Sequence, residues 1–200
     1  MSSSLAPYEA VPLGVSSDLA RVQSAIAMAV RAHGDQRYGP NPYKVHLLEV
    51  LSVGFEFGVT DAPVLTAAPL HDAIEDTDLS KAKIEAAFGT RVANIVDAVS
   101  DPPGYKNRKE RKAAAYPRIA AVPGAVTLKL MDRIANVRSC WREAQAEKAA
   151  KSLLGMYKKE HGGFRKALRV RVSPSGVARE PFGPEAAMWD EIDRLVAWTP

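Results

Sequence analysis

Apolar residues recur at three- and four-residue steps along almost the whole chain, and the alternating pattern of a half-buried strand is scarce. This regularity restricts the fold more than any other feature. Helices that each carry one apolar stripe must bury it against other helices. The expected architecture is therefore all-α, a bundle of about eight to ten helices with connections of ordinary length. A hydrophobic content of 46% is enough to build its core.

Breakers divide the pattern. Leu19, Val22, Ile26 and Val30 share one face of a first helix that Gly34 ends. Asn41-Pro42 reads as the next helix start, with Asn as cap and Pro in the first turn. Tyr43, Leu47, Val50 and Phe57 follow as a stripe that Gly58 stops. Asp61 is placed to cap a third helix running towards Glu75, and Asp78 to cap a short fourth ended by Gly89. Val92, Ile95, Val96 and Val99 mark another helix. Residues Asp101 to Lys112 are polar, basic and rich in breakers, and read as a loop entering a helix near Lys109. Pro123-Gly124 is a further break. Helices are expected from Ala125 to Cys140, from Lys148 to His161 and from Glu185 to Trp198, with a Pro/Gly/Ser-rich excursion over Ser173 to Pro184.

Three segments carry metal-type ligands. In His71-Asp72-Ala73-Ile74-Glu75-Asp76-Thr77, helical spacing stacks Asp72 over Glu75 and Asp76, and His71 over Glu75. Carboxylates that close repel one another unless a cation or water separates them. The segment reads either as such a site or as a solvated acidic helix end. Lys129, Asp132, Asn136 and Ser139 form one polar stripe opposite Leu130, Ile134 and Val137, which reads as a site or as plain surface. His46 alone is an ordinary histidine on an apolar helix. Taken together, His46, His71, Asp72 and Asp132 offer two imidazoles and two carboxylates, a donor set suited to Mn²⁺, Fe²⁺ or Zn²⁺. No thiolate is involved, which argues against a structural zinc site.

The order His, then His-Asp, then Asp resembles the HD phosphohydrolase superfamily. Longer strings narrow the resemblance: Ala-His-Gly-Asp-Gln-Arg at 32–37, Pro-Tyr-Lys-Val-His at 42–46, His-Asp-Ala-Ile-Glu-Asp-Thr at 71–77, Phe-Gly-Thr-Arg-Val at 88–92 and Lys-Leu-Met-Asp-Arg-Ile-Ala-Asn at 129–136. These look like the hydrolase domain of Rel/Spo proteins, and the length points to the stand-alone small alarmone hydrolases. The resemblance implies a hydrolase domain over 19–165, preceded by an arm (1–18) and followed by an excursion and a helix (166–200) packed on it. It implies removal of the 3′-pyrophosphate of guanosine tetra- or pentaphosphate, with Mn²⁺ as the usual ion. His46, His71, Asp72 and Asp132 would be the metal ligands, and Glu75 and Asp76 would handle the attacking water. Arg37, Asn136, Ser139, Tyr157 and Lys129 would contact substrate. Tyr38 departs from the pattern, standing where the long Rel/Spo enzymes often have a lysine.

Other readings stay open at this level. An adenosine alarmone or the 2′-phosphate of NADPH are alternative substrates, and a binding module without turnover is an alternative role. A cognate alarmone-making toxin is a conceivable partner. Arg165, Lys166, Arg169 and Arg171 cluster, but with few aromatics among them they read as a solvated helix end and not as a nucleic-acid surface. A net charge of +4 favours anionic ligands in general. Cys140, the sole cysteine, excludes an intrachain disulfide and fits a reducing, cytoplasmic setting. No signal peptide or membrane span is expected, and nothing in the sequence specifies an oligomer.

Overall fold

The structure, a computed structural model, describes residues 13–144, 148–172 and 178–197. Ten α-helices run through them: α1 (Leu13–His33), α2 (Lys44–Glu56), α3 (Ala62–Ala67), α4 (Ala73–Asp76), α5 (Lys81–Phe88), α6 (Thr90–Val99), α7 (Arg108–Ala121), α8 (Ala125–Ala144), α9 (Lys148–Leu168) and α10 (Pro184–Ala197). Two small antiparallel ribbons accompany them, β1 (Arg37–Tyr38) with β2 (Asn41–Pro42), and β3 (Arg171–Val172) with β4 (Ala178–Arg179). The all-α expectation is met. Among the described residues no helix is long and apolar enough to cross a membrane.

Helix α8 is the axis of the bundle, packed by α2, α6, α7, α9 and α10. Its Leu128, Leu130, Met131, Ile134 and Val137 are fully buried, and each such side chain contributes about 1.5–3 kcal/mol over an exposed one. Leu47 and Val50 of α2, Ile95 and Val96 of α6, and Trp189 and Ile192 of α10 complete that core. Gly54 lets α2 and α8 approach closely: a Cβ there would lie 2.6 Å from Met131 Cε.

Several expected boundaries are corrected. Helix α1 already runs from Leu13, within the stretch expected as an arm, while residues 1–12 and Trp198 lie outside the described residues. Asn41-Pro42 does not start a helix. The Tyr43 N–H donates to the Gln36 carbonyl (2.9 Å), folding 41–42 back across Arg37 and Tyr38 as a hairpin, and α2 begins at Lys44. The third helix does not run through to Glu75. It ends at Ala67, a 3₁₀ turn spans Ala68–Leu70, and a single turn, α4, resumes at Ala73. Pro69 in that turn lacks the N–H that would continue the ladder.

Caps also differ from expectation. Asp61 makes no side-chain cap and instead meets Arg91 at 2.5 Å. Ser80, not Asp78, caps α5 by accepting from the Lys83 N–H. Asn107 accepts from the Glu110 N–H and donates to Glu110 Oε1, a reciprocal cap that starts α7 at Arg108. Helix α9 outruns His161 because Phe164 and Leu168 continue its buried face. The basic stretch after Phe164 fastens α9 to α10: Arg165 and Arg169 both reach Asp193 at 3.3 Å, beside His161 at 2.7 Å.

Gly124 turns the chain into α8 with φ of +91°, and a Cβ there would lie 2.7 Å from Val64 Cγ2. Gly124→Ala is therefore expected to lower stability by about 2 kcal/mol or more, against about 1 kcal/mol for Ser80→Ala. Urea denaturation followed by circular dichroism checks this ranking.

Candidate metal centre and active site

Helices α2 and α8 and the broken segment between α3 and α4 bring four side chains together. His46 Nε2 lies 3.2 Å from His71 Nε2. Asp132 Oδ1 is 3.6 Å from the first and 3.7 Å from the second. Asp72 Oδ2 is 2.8 Å from His71 Nε2 and 3.8 Å from His46 Nε2. Donor atoms sharing one ion at bonds of about 2.0–2.2 Å sit about 3.0–3.5 Å apart, so this spacing fits a single small cation. Both histidines are 1% exposed and Asp132 is 7% exposed, so the cluster is not a solvated surface.

The orientation of each ring supports the same use. His71 Nδ1 lies 2.9 Å from the Ala68 carbonyl, which only an N–H can satisfy, so Nε2 is the nitrogen turned to the centre, free to act as a ligand once its own proton is given up. His46 Nδ1 is buried with no hydrogen-bond partner, leaving Nε2 as that ring's only polar contact. Protons alone serve the cluster badly. Burial, reinforced by His71, pushes His46 down to about 4. Burial would also lower His71, but Asp72 and Asp132 outweigh it and raise that ring to about 9. Against the upward pull of burial, His71 holds the Asp72 carboxyl far below its usual range, and Lys129 lowers Asp132. A divalent ion suits two imidazoles and two carboxylates without that division of charge.

A ring of contacts holds the carboxylates. Tyr43 donates to Asp72 Oδ2 at 2.5 Å, and Lys129 Nζ meets Asp132 Oδ2 at 2.9 Å. Asn136 donates to Asp132 Oδ1 while its own Oδ1 accepts from Tyr38 at 2.6 Å. The Tyr38 ring stacks on His46 with centroids 4.5 Å apart and planes 10° apart. The cluster opens into a cavity of about 230 Å³ whose wall includes Tyr38, Glu75, Lys129, Asn136 and Tyr157. Arg108, Arg111, Lys112 and Arg133 line it as well.

Residues 25–159 match the HD domain family. The chain belongs to that family. The HD domain is 36% identical over 143 residues to guanosine-3′,5′-bis(diphosphate) 3′-pyrophosphohydrolase of Aquifex aeolicus, covering 68% of this chain but only 20% of that protein. It is 33% identical over 126 residues to guanosine-3′,5′-bis(diphosphate) 3′-pyrophosphohydrolase MESH1 of Homo sapiens, covering 61% of this chain and 70% of that one. Among solved structures, it is similar to a metazoan orthologue of SpoT that hydrolyses ppGpp and plays a role in starvation responses. That match has a TM-score of 0.64 at 26% identity and covers 94% of this chain and 97% of the other. HD-domain hydrolases are metal-dependent, in keeping with the His46, His71 and Asp132 cluster.

The remaining candidates of this HD domain separate by position. Glu75 faces the cavity and accepts from the Asp101 N–H at 2.6 Å. Desolvation raises its carboxyl above the ordinary range, with that N–H opposing. Asp76 turns the other way, towards Gln36 Nε2 (3.1 Å) and the Tyr43 hydroxyl (3.3 Å). Arg37 is exposed and donates to the Pro40 carbonyl, outside the cavity wall. Ser139 is buried and donates to Glu143 Oε1 at 3.0 Å. Arg133 lies over the Tyr157 ring (4.5 Å) and the Phe164 ring (4.8 Å), and meets Glu160 at 3.3 Å.

In the sequence Tyr43 stands in an apolar stripe and in the Pro-Tyr-Lys-Val-His string, with no site role attached to it. Its place three residues before His46, one helical turn away, is the signal that puts it beside the cluster.

Asp72→Ala is expected to weaken divalent-metal binding by more than about 100-fold, and Tyr43→Phe by about 10–100-fold, with helicity retained. Titration calorimetry and far-ultraviolet circular dichroism read both quantities. Unchanged affinity in Asp72→Ala would remove that residue from the centre.

Proposed function

We propose that this chain removes the 3′-pyrophosphate of guanosine tetra- and pentaphosphate, giving GDP or GTP and pyrophosphate, with Mn²⁺ as its ion. One observation carries the reading: two imidazoles and two carboxylates converge in a buried cluster that opens onto a cavity lined also by Glu75 and by the cations Arg108, Arg111, Lys112 and Arg133. The names of the Aquifex and human relatives support the substrate class.

His46, His71, Asp72 and Asp132 would hold the ion. When bound, such an ion polarises a phosphoryl oxygen and acidifies water. Glu75 takes a proton from the attacking water, and its raised affinity for protons suits a general base. The water oxygen bonds to the phosphorus next to the ribose 3′-oxygen, the bond from that phosphorus to the 3′-oxygen breaks, and the 3′-oxygen leaves with a proton. Lys129, charged and buried beside Asp132, offsets negative charge at the cluster. Asp76 positions the site by holding the Tyr43 and Gln36 side chains. The chain acts in the reducing cytoplasm, where its buried Cys140 stays a thiol.

Purified protein with Mn²⁺ is expected to release pyrophosphate from guanosine tetraphosphate, in preference to the adenosine analogue and to phosphate release from NADPH. No turnover of guanosine tetraphosphate, or faster turnover of either alternative, would overturn the assignment. Glu75→Gln is expected to keep metal affinity and lose about 10²–10⁴-fold in kcat. Parallel loss of metal affinity would make Glu75 a ligand instead of a base.

A further inference from the structure

Asp101 opens the loop between α6 and α7 and contacts three other residues of the cavity lining. Its backbone N–H holds Glu75 Oε1 at 2.6 Å. Its carboxylate accepts from Lys112 Nζ at 2.8 and 2.9 Å, and Arg111 Nε lies 2.8 Å from Oδ2. The Arg111 contact is an ion pair without an aligned hydrogen bond, because that Nε is buried with no hydrogen-bond partner. Lys112 and Asp101 are both largely enclosed, with side chains 14% and 12% exposed. Three groups that line one cavity are thus locked together, and one donor among them is left unused.

We propose that Asp101 is an internal stand-in for a phosphate group: its carboxylate occupies Arg111 and Lys112 until a phosphate of the substrate displaces it. The inference rests on the polyphosphate reading above and names the side chains that receive the second anionic group. A carboxylate offers two oxygens in one plane. A phosphate offers three in a tetrahedral array and more charge, so it can satisfy Lys112 and the idle Arg111 Nε together. The neighbouring Arg108 does not compete for Asp101, since Glu160 holds it at 2.5 Å. Exchange of anions at Arg111 and Lys112 would reach the candidate base directly, because the residue displaced is the one whose amide holds Glu75. Asp101 thereby sets both the affinity for polyphosphate and the moment at which Glu75 is released.

The test uses the full chain and inorganic pyrophosphate, with binding read by calorimetry in buffer without added divalent metal. Asp101→Asn keeps the backbone amide and the shape but removes the competing charge. It is expected to bind pyrophosphate about fivefold more tightly than the unaltered chain. The gain is expected to vanish when Arg111→Gln and Lys112→Gln are added. Equal or weaker binding by Asp101→Asn overturns the proposal, as does a gain that survives the two glutamines. Hydrogen exchange in the unaltered chain gives a second reading that needs no variant. Exchange over residues 101–107 should rise on pyrophosphate binding, and unchanged or slower exchange there counts against displacement. A chain that shows these effects but does not turn over guanosine tetraphosphate would overturn the proposed activity and leave this exchange of anions standing.

Discussion

Two imidazole nitrogens brought within 3.2 Å of each other in a buried setting need a proton or a metal ion to share, and the His46–His71 contact imposes that need on everything around it. It accounts for the two carboxylates drawn to the same point and for the tyrosine, asparagine and lysine that restrain those carboxylates. It also accounts for the broken chain at Ala68–Asp72. Consecutive residues on an α-helix point about 100° apart. His71 and Asp72 must both face one centre, and the 3₁₀ turn followed by Asp72 at φ −99°, ψ 0° provides the departure that lets them.

The bundle was readable because its determinants are local. Residues such as Leu130, Ile134 and Val137 declare a buried face by spacing alone, and all three are fully buried. His46, His71 and Asp132 lie far apart in sequence, and there only their residue types and the family resemblance point to shared chemistry; their clustering is the work of the fold. What escaped depends on partners far along the chain. The hairpin at Arg37–Pro42 turns at Gly39, whose φ is +55°, and is closed by the Tyr43 bond to Gln36, while Asn41-Pro42 carries the competing signal of a helix start. Asp61 has the character of a cap, but Arg91 claims it. Tyr43 is an apolar ring by periodicity and a hydrogen-bond donor by position, and only the second matters to Asp72.

The cavity wall follows the same division. Arg108, Arg111 and Lys112 appear in the sequence as an undifferentiated basic run. In the fold two acidic residues divide them, Glu160 taking the first and Asp101 the other two together. A pocket built this way carries little bare charge before a ligand arrives. Anion binding there is a trade of one partner for another, which costs less than desolvating exposed cations and favours ligands that outbid a carboxylate.

Gly54 gives the bundle a gauge. The missing side chain sets how near the α2 axis can come to α8, where Met131 fills the vacated space. His46 lies two turns back along one of these helices and Asp132 lies next to Met131 on the other. Any residue that prised the pair apart at this crossing would widen the gap between imidazole and carboxylate. The ionic radius that the chain accepts is therefore written partly in a hydrogen atom well removed from the ligands themselves.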